Sequence, residues 1–227
     1  MLEAHAIDVL PALAACPPSP GLSAVARRQR EQAMALAAAE NLGKGSYRCR
    51  IVPLDGIAQD TLLVGGERLA APLLIPESGE LTAVACGVCT LGTALEDRAA
   101  ELFADGRRSL ALALGSLGNE LLFGVSRLME DRLMAEARRR RLSMAGELRS
   151  GDPGLALDTQ AAVVGLAGGA AIGVEVSERS MLRPVKSTSA IFGIGIDLPE
   201  VRWSRCDACP FRGKCRMAGH RADAAES

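Results

Sequence analysis

The sequence predicts an α+β domain built on a mainly antiparallel, twisted sheet with flanking helices. Three observations lead there. Helix-favouring runs fill residues 22–41 and 93–140, short apolar or alternating runs lie around them in groups, and a glycine pair and a polar turn join strand-like runs in the manner of hairpins. No internal repeat breaks this order.

Element by element, residues 1–20 hold Ala, Leu and four prolines, which suits an arm. From Leu22 to Asn41 the Ala, Arg, Gln and Glu content favours helix, with Gly43 placed for a C-terminal cap. Tyr47 to Pro53 has a short extended pattern, and Thr61 to Val64 leads into Gly65 and Gly66, a hairpin turn rather than a phosphate loop because no accompanying lysine or spacing supports the latter. Thr82 to Cys89 is a compact apolar run that suits a buried strand. Two helices follow, from Thr93 to Ala104, stopped by Asp105 and Gly106, and from Ser109 to Arg140. Asp152 and Pro153 resemble an N-cap and first-turn proline, opening a helix to Ala167 that Gly168 and Gly169 end. Beyond it, Ile172, Val174 and Val176 alternate with polar or small residues and pair, as a hairpin, with Ala190, Phe192 and Ile194.

With 227 residues, 48% of them apolar and only 3% aromatic, the chain predicts one domain with appendages and a largely aliphatic core. The formal charge of −1, with both signs mixed along the chain, gives no continuous footprint for nucleic acid. Arg138 to Arg141 read as a solvated helix end that complements the helix dipole. Neither a signal pattern nor an uncharged run of membrane-spanning length is visible, so the expected location is cytoplasmic and no membrane partner is expected. In a reducing compartment the seven cysteines are thiols, metal ligands or redox groups rather than a disulfide framework.

The stretch from Ile172 to Gly193 carries Ser177, Glu178, Met181, Pro184, Ser187, Ser189 and Gly193 in an order that resembles the activation domain of cobalamin (vitamin B12)-dependent methionine synthase, in a stand-alone form. That family has a Thr-Glu-Ser segment, a methionine, a proline and a Ser-x-Ser run ending in glycine. Gly115 to Glu120 is similar to the family's helix with a ligand-facing glutamate, and Ile51 to Asp55 and Thr90 to Gly92 are shared with compact relatives. The resemblance covers residues 45–205, leaving 1–44 as an N-terminal arm and helix and 206–227 as a cysteine-rich tail.

The resemblance implies a C-shaped α+β domain that binds S-adenosylmethionine, docks on a corrinoid-binding protein or methionine synthase subunit, and remethylates cobalamin carried by that partner. The electron comes from a donor such as a flavodoxin or ferredoxin. It further implies cofactor-binding roles for Glu120, Arg141, Glu178, Lys186 and Trp203. Glu120, on an apolar helix with Ser116 and Gly124 a turn away on either side, is suited either to hold an amino or hydroxyl group of the ligand or to pair with Arg127. Arg141, with Arg140 adjacent, lies where the family has an arginine whose fork suits a methionine carboxylate. Met144, Ala145, Gly146 and Glu147 stand where the family has a Pro-Gly-Tyr turn, and Trp203 corresponds by spacing to a family tyrosine. Lys186 is one of three lysines in the chain; it suits an anionic corrinoid side chain or a partner carboxylate, or is simply an exposed strand lysine.

In the tail, Cys206, Cys209 and Cys215 follow a C-x2-C-x5-C order with His220 beyond, a pattern able to ligate a metal from a tight turn. An iron–sulfur cluster would need a fourth ligand from Cys86 or Cys89, which otherwise read as small buried residues; zinc would take His220. Redox-active or inert thiols remain the third reading. Two other functions stay open beside the activation module: an iron–sulfur electron-transfer protein of a corrinoid system, and a zinc-stabilised accessory protein that does not bind S-adenosylmethionine.

Overall fold

The computed structural model describes residues 1–15 and 22–199. In chain order the elements are β1 (Leu2–Asp8), α1 (Leu10–Ala15), α2 (Ala24–Ala39), β2 (Lys44–Ala58), β3 (Thr61–Val64), β4 (Glu67–Ala70), β5 (Glu80–Thr90), α3 (Ala94–Ala104), α4 (Arg108–Arg139), β6 (Ser143–Leu148), α5 (Gln160–Ala167), β7 (Glu175–Val176), β8 (Leu182–Arg183) and β9 (Ser187–Ile196). One antiparallel sheet runs β4-β3-β2-β5-β9-β6, with β1 also paired to β2, and β7 and β8 form a separate two-stranded ribbon.

β2 is the organising strand. Its first half pairs β1 through Lys44–Cys49, its second half pairs β3 from Leu54 onward, and β5 runs along its other edge from Ser46 to Pro53. The sheet is covered on both faces, which explains why β5 reads as a continuous apolar run. Ala83, Ala85 and Cys89 of β5 pack with Tyr47, Cys49, Ala190, Phe192 and Ile194 against the helices α1 to α4. Val84, Cys86 and Val88 pack with Ile191 against Val163, Val164 and Ala167 of α5.

Three helices end by one device. After the C-caps Glu40, Asp105 and Arg140, the residues Asn41, Gly106 and Arg141 adopt φ of 59°, 75° and 58°, and the next amide returns to Ala37, Leu102 and Ala137 at 2.8–2.9 Å. Gly106 stops α3 as predicted. Asn41, not Gly43, stops α2, because an Asn side chain tolerates the left-handed region. Gly43 instead leaves room for Leu10, whose Cβ lies 2.6 Å from where a Gly43 Cβ would stand.

Other expectations need correction. Residues 1–15 are not a free arm: β1 is hydrogen-bonded into the sheet, and Val9 and Leu10 join the same core as Ala33, Ala37 and Leu42. The helix expected from Asp152 starts only at Gln160. Asp152 does cap, but it caps a turn, its carboxylate accepting the Arg149 amide at 3.1 Å, and Gly154 at φ 87° breaks the run. The expected hairpin between residues 172–176 and 190–194 is replaced by two pairings: β7 with β8, and β9 with β5 and β6. By length and composition α4 would suffice to cross a membrane. Here its residues Leu114, Leu117, Leu121, Val125, Met129 and Leu133 are core residues beneath the sheet.

Candidate functional site

The start of β9 is a polar strip laid into an apolar sheet. Successive strand residues face opposite sides, so neighbouring hydroxyls need partners on opposite faces of the sheet. The Ser187 hydroxyl donates to Thr90 Oγ1 at 2.8 Å, and Gln160 of α5 donates to the Ser189 hydroxyl at 2.9 Å, both on the α5 side. On the α4 side, Arg149, just beyond β6, donates to Thr188 Oγ1 at 2.7 Å and to Ser126 Oγ of α4 at 3.2 Å.

Arg149 is held in place by Glu147, which its Nε and Nη2 meet at 3.0 and 2.7 Å. The pair is largely enclosed, with side-chain exposures of 16% and 13%. Four of the five guanidinium N–H groups therefore have acceptors, as burying such a charge demands. At the other end of the strip Lys186 Nζ donates to Asn119 Oδ1 of α4 at 2.6 Å, and its stem passes over Gly118, where an added Cβ would lie 3.2 Å from Cε. Desolvation lowers the Lys186 pKa against the opposing pull of Glu96. Glu96 of α3 also accepts the Val185 amide at 3.0 Å, tying the end of the ribbon to the helical layer. An ammonium has three donors and Asn119 uses one, so Lys186 keeps capacity for an external acceptor.

The candidate residues do not converge on one point. Glu120 accepts Arg30 of α2, Nη2 at 2.8 Å and Nε at 3.2 Å. Arg127, the alternative partner, lies over the Phe123 ring, 5.9 Å from its centroid. Glu120 and Asn119 are neighbours in sequence but about 100° apart around the helix, so one serves α2 and the other β9. Arg141 is exposed and occupies the left-handed residue that ends α4. From Glu120 to Arg139 the helix rises about 28 Å, so Glu120 and Arg141 cannot both meet the amino-acid end of one ligand. Strand β6 then retraces α4, and this return brings Arg149 back to the level of Ser126. Among the described residues the guanidinium nearest the strip is thus Arg149, which the sequence pattern does not single out. The sequence carries only a faint signal for it: Glu147 and Arg149 stand at i and i+2 around the buried Leu148, at the end of a strand that the pattern does not announce.

Glu178 lies elsewhere, at an open depression of about 500 Å³ lined by Glu175, Val176, Ser177, Glu178, Arg179 and Arg183. Trp203, Cys206, Cys209, Cys215 and His220 lie outside the described residues. Cys86 and Cys89 are buried on opposite faces of the sheet, each thiol pushed up to about 12 by burial, and so belong to two different cores. Among the described residues no group of three or more Cys, His, Asp or Glu side chains could hold a metal ion.

With this geometry in view, comparison with known proteins is informative mainly at the level of fold. The chain is similar to a solved structure described as the MetH reactivation domain bound to AdoHcy, with a TM-score of 0.60, 14% sequence identity, and coverage of 90% of this chain and 80% of that one. No family model matches, and no curated protein matches. The likeness establishes the fold: a mixed α+β domain of the reactivation-domain type, with a mostly antiparallel sheet and flanking helices.

Proposed function

We propose that this chain serves as a reactivation module for a cobalamin-dependent methyltransferase, docking on a separate corrinoid-carrying protein and taking S-adenosylmethionine as methyl source. One observation carries the reading: the fold likeness spans 90% of the chain, and its counterpart is a domain bound to AdoHcy. S-adenosylmethionine would supply the methyl group, and a flavodoxin or ferredoxin the electron. The protein's part is orientation and electrostatics.

Within the chain the polar strip at the start of β9 is the surface we assign to the ligand's amino-acid end. Lys186 offers the free donors for a carboxylate, and Arg149 with Glu147 fixes the strand that carries it. Arg141 drops out of the set because it lies at the far end of α4. Glu120 keeps a role only if the ligand's ammonium competes with Arg30. The thiols Cys206, Cys209 and Cys215 are proposed to hold an iron–sulfur cluster or, together with His220, zinc, which anaerobic iron, sulfide and zinc analysis of the purified chain would identify.

Calorimetric titration with AdoHcy and S-adenosylmethionine tests the reading. Both should bind, and Lys186→Met should weaken them roughly tenfold, the worth of one charge-assisted hydrogen bond. Absence of binding by either ligand up to about 1 mM, an affinity of about −4 kcal/mol, would sink it.

A further inference from the structure

The β7–β8 ribbon holds four charges that no other described residue pairs with. Glu175, Glu178, Arg179 and Arg183 line the depression of about 500 Å³, and none of them forms an ion pair with another described residue. That is unexpected for Glu175 and Arg183, which face each other in register across the ribbon. Opposite charges at such positions ordinarily meet. Here they stand apart around a concavity instead.

The turn that presents them is fixed. The Ser177 amide donates to the Met181 carbonyl at 2.9 Å, the Met181 amide to Ser177 Oγ at 3.1 Å, and the Ser180 amide to the Ser177 carbonyl at 2.9 Å, with Ser180 at φ 56°. Among the described residues Val176 is the one aliphatic member of the lining, and no aromatic ring belongs to it. What the lining offers is two guanidinium forks for a carboxylate, two carboxylates for an ammonium, and a small aliphatic wall.

From this we infer that the depression is a binding site for a small zwitterion of the α-amino-acid class with an aliphatic side chain, separate from the strip at β9. Its charges are solvent-exposed, so its affinity lies in roughly the millimolar range.

Amide chemical-shift mapping on the ¹⁵N-labelled full chain tests this, with L-valine as probe and N-acetylvaline and valinamide as controls lacking one charge each. L-valine should give saturable shifts confined to residues 175–183, and each control should bind at least roughly tenfold more weakly. Arg183→Met should weaken L-valine by a similar factor while Arg183→Lys retains part of it, with AdoHcy affinity unchanged in both. Equal binding of valine and its controls, or no shifts up to about 10 mM valine, overturns the proposal. Parallel loss of AdoHcy in Arg183→Met overturns it as a separate site, whereas failure of AdoHcy to bind the unaltered chain tells only against the reactivation reading.

Discussion

Arg149 and Arg183 are the same residue type under opposite rules. Arg149 is enclosed by α4, β6 and β9, with Glu147, Thr188 and Ser126 as acceptors. Arg183 stands on a two-residue strand at the surface, opposite a glutamate it does not touch. A charge taken out of water has to be matched by the protein, so around Arg149 the strip at β9 is a finished network whose members hold one another, while Lys186 at its edge keeps donors to spare. A charge left in water is under no such demand, and the ribbon can keep its charges free for something else. The difference shows where to look for structure and where to look for ligands: satisfied groups position, unsatisfied exposed groups bind.

The comparison breaks most sharply at Arg149→Met. This change takes from the largely enclosed Glu147 carboxylate the guanidinium it accepts from and removes the donor to Thr188 and Ser126, and a loss of about 3 kcal/mol is expected, read by urea or guanidinium denaturation. If the variant unfolds at the same denaturant concentration as the parent, the pair is not a structural element.

Next comes alkaline pH, which tests the same rule on neutral groups. Burial pushes the thiols of Cys49, Cys86 and Cys89 from 9.0 up to about 12. These groups keep their protons longer when folded, so the stability tied to them is complete below pH 9 and declines as pH rises towards 12. Denaturation midpoints should fall across that window, and alkylation mapped by mass spectrometry at neutral pH should leave all three unmodified until the chain unfolds. Rapid labelling of Cys86 or Cys89 in the native protein would contradict their enclosure.

Smaller still is Ser126→Ala, which removes one of several acceptors from Arg149 and should cost about 1 kcal/mol. At the bottom of the scale, Arg183→Met and Glu175→Gln should each change stability by less than about 0.5 kcal/mol, since both side chains are exposed and no described residue forms an ion pair with them. A large destabilisation by either would place the ribbon in the same category as the strip and remove the contrast.

How much of this was legible in the sequence depends on distance along the chain. β3, α3 and α4 fall within a residue or two of expectation because periodicity and stop signals are local: Gly106 ends α3 where it should. β1 is hidden because its pairing partner lies some forty residues on and because Pro11, Pro17, Pro18 and Pro20, which follow it, make the whole stretch read as an arm. β6 was missed because Met144, Ala145 and Gly146 carry neither a strong alternation nor β-branched residues, and only β9 makes them a strand. Arg141 was favoured over Arg149 for a related reason. Order along the chain does not reveal that α4 carries one arginine away from Glu120 while β6 brings the next one back.

β1 has one more consequence, for how this chain behaves with its own copies. Beside β1 the first half of β2 is an interior strand; β3 reaches that edge only from Leu54. Deleting residues 1–8 would strip the backbone of Lys44–Cys49 of its neighbour and remove Glu3, which pairs with Arg48 at 2.8 Å. A strand edge so exposed recruits whatever extended segment is at hand, and the nearest source is β1 of another molecule. A chain lacking residues 1–8, mixed with the unaltered one, would then exchange strands between molecules, whereas β1 keeps that edge paired within one molecule.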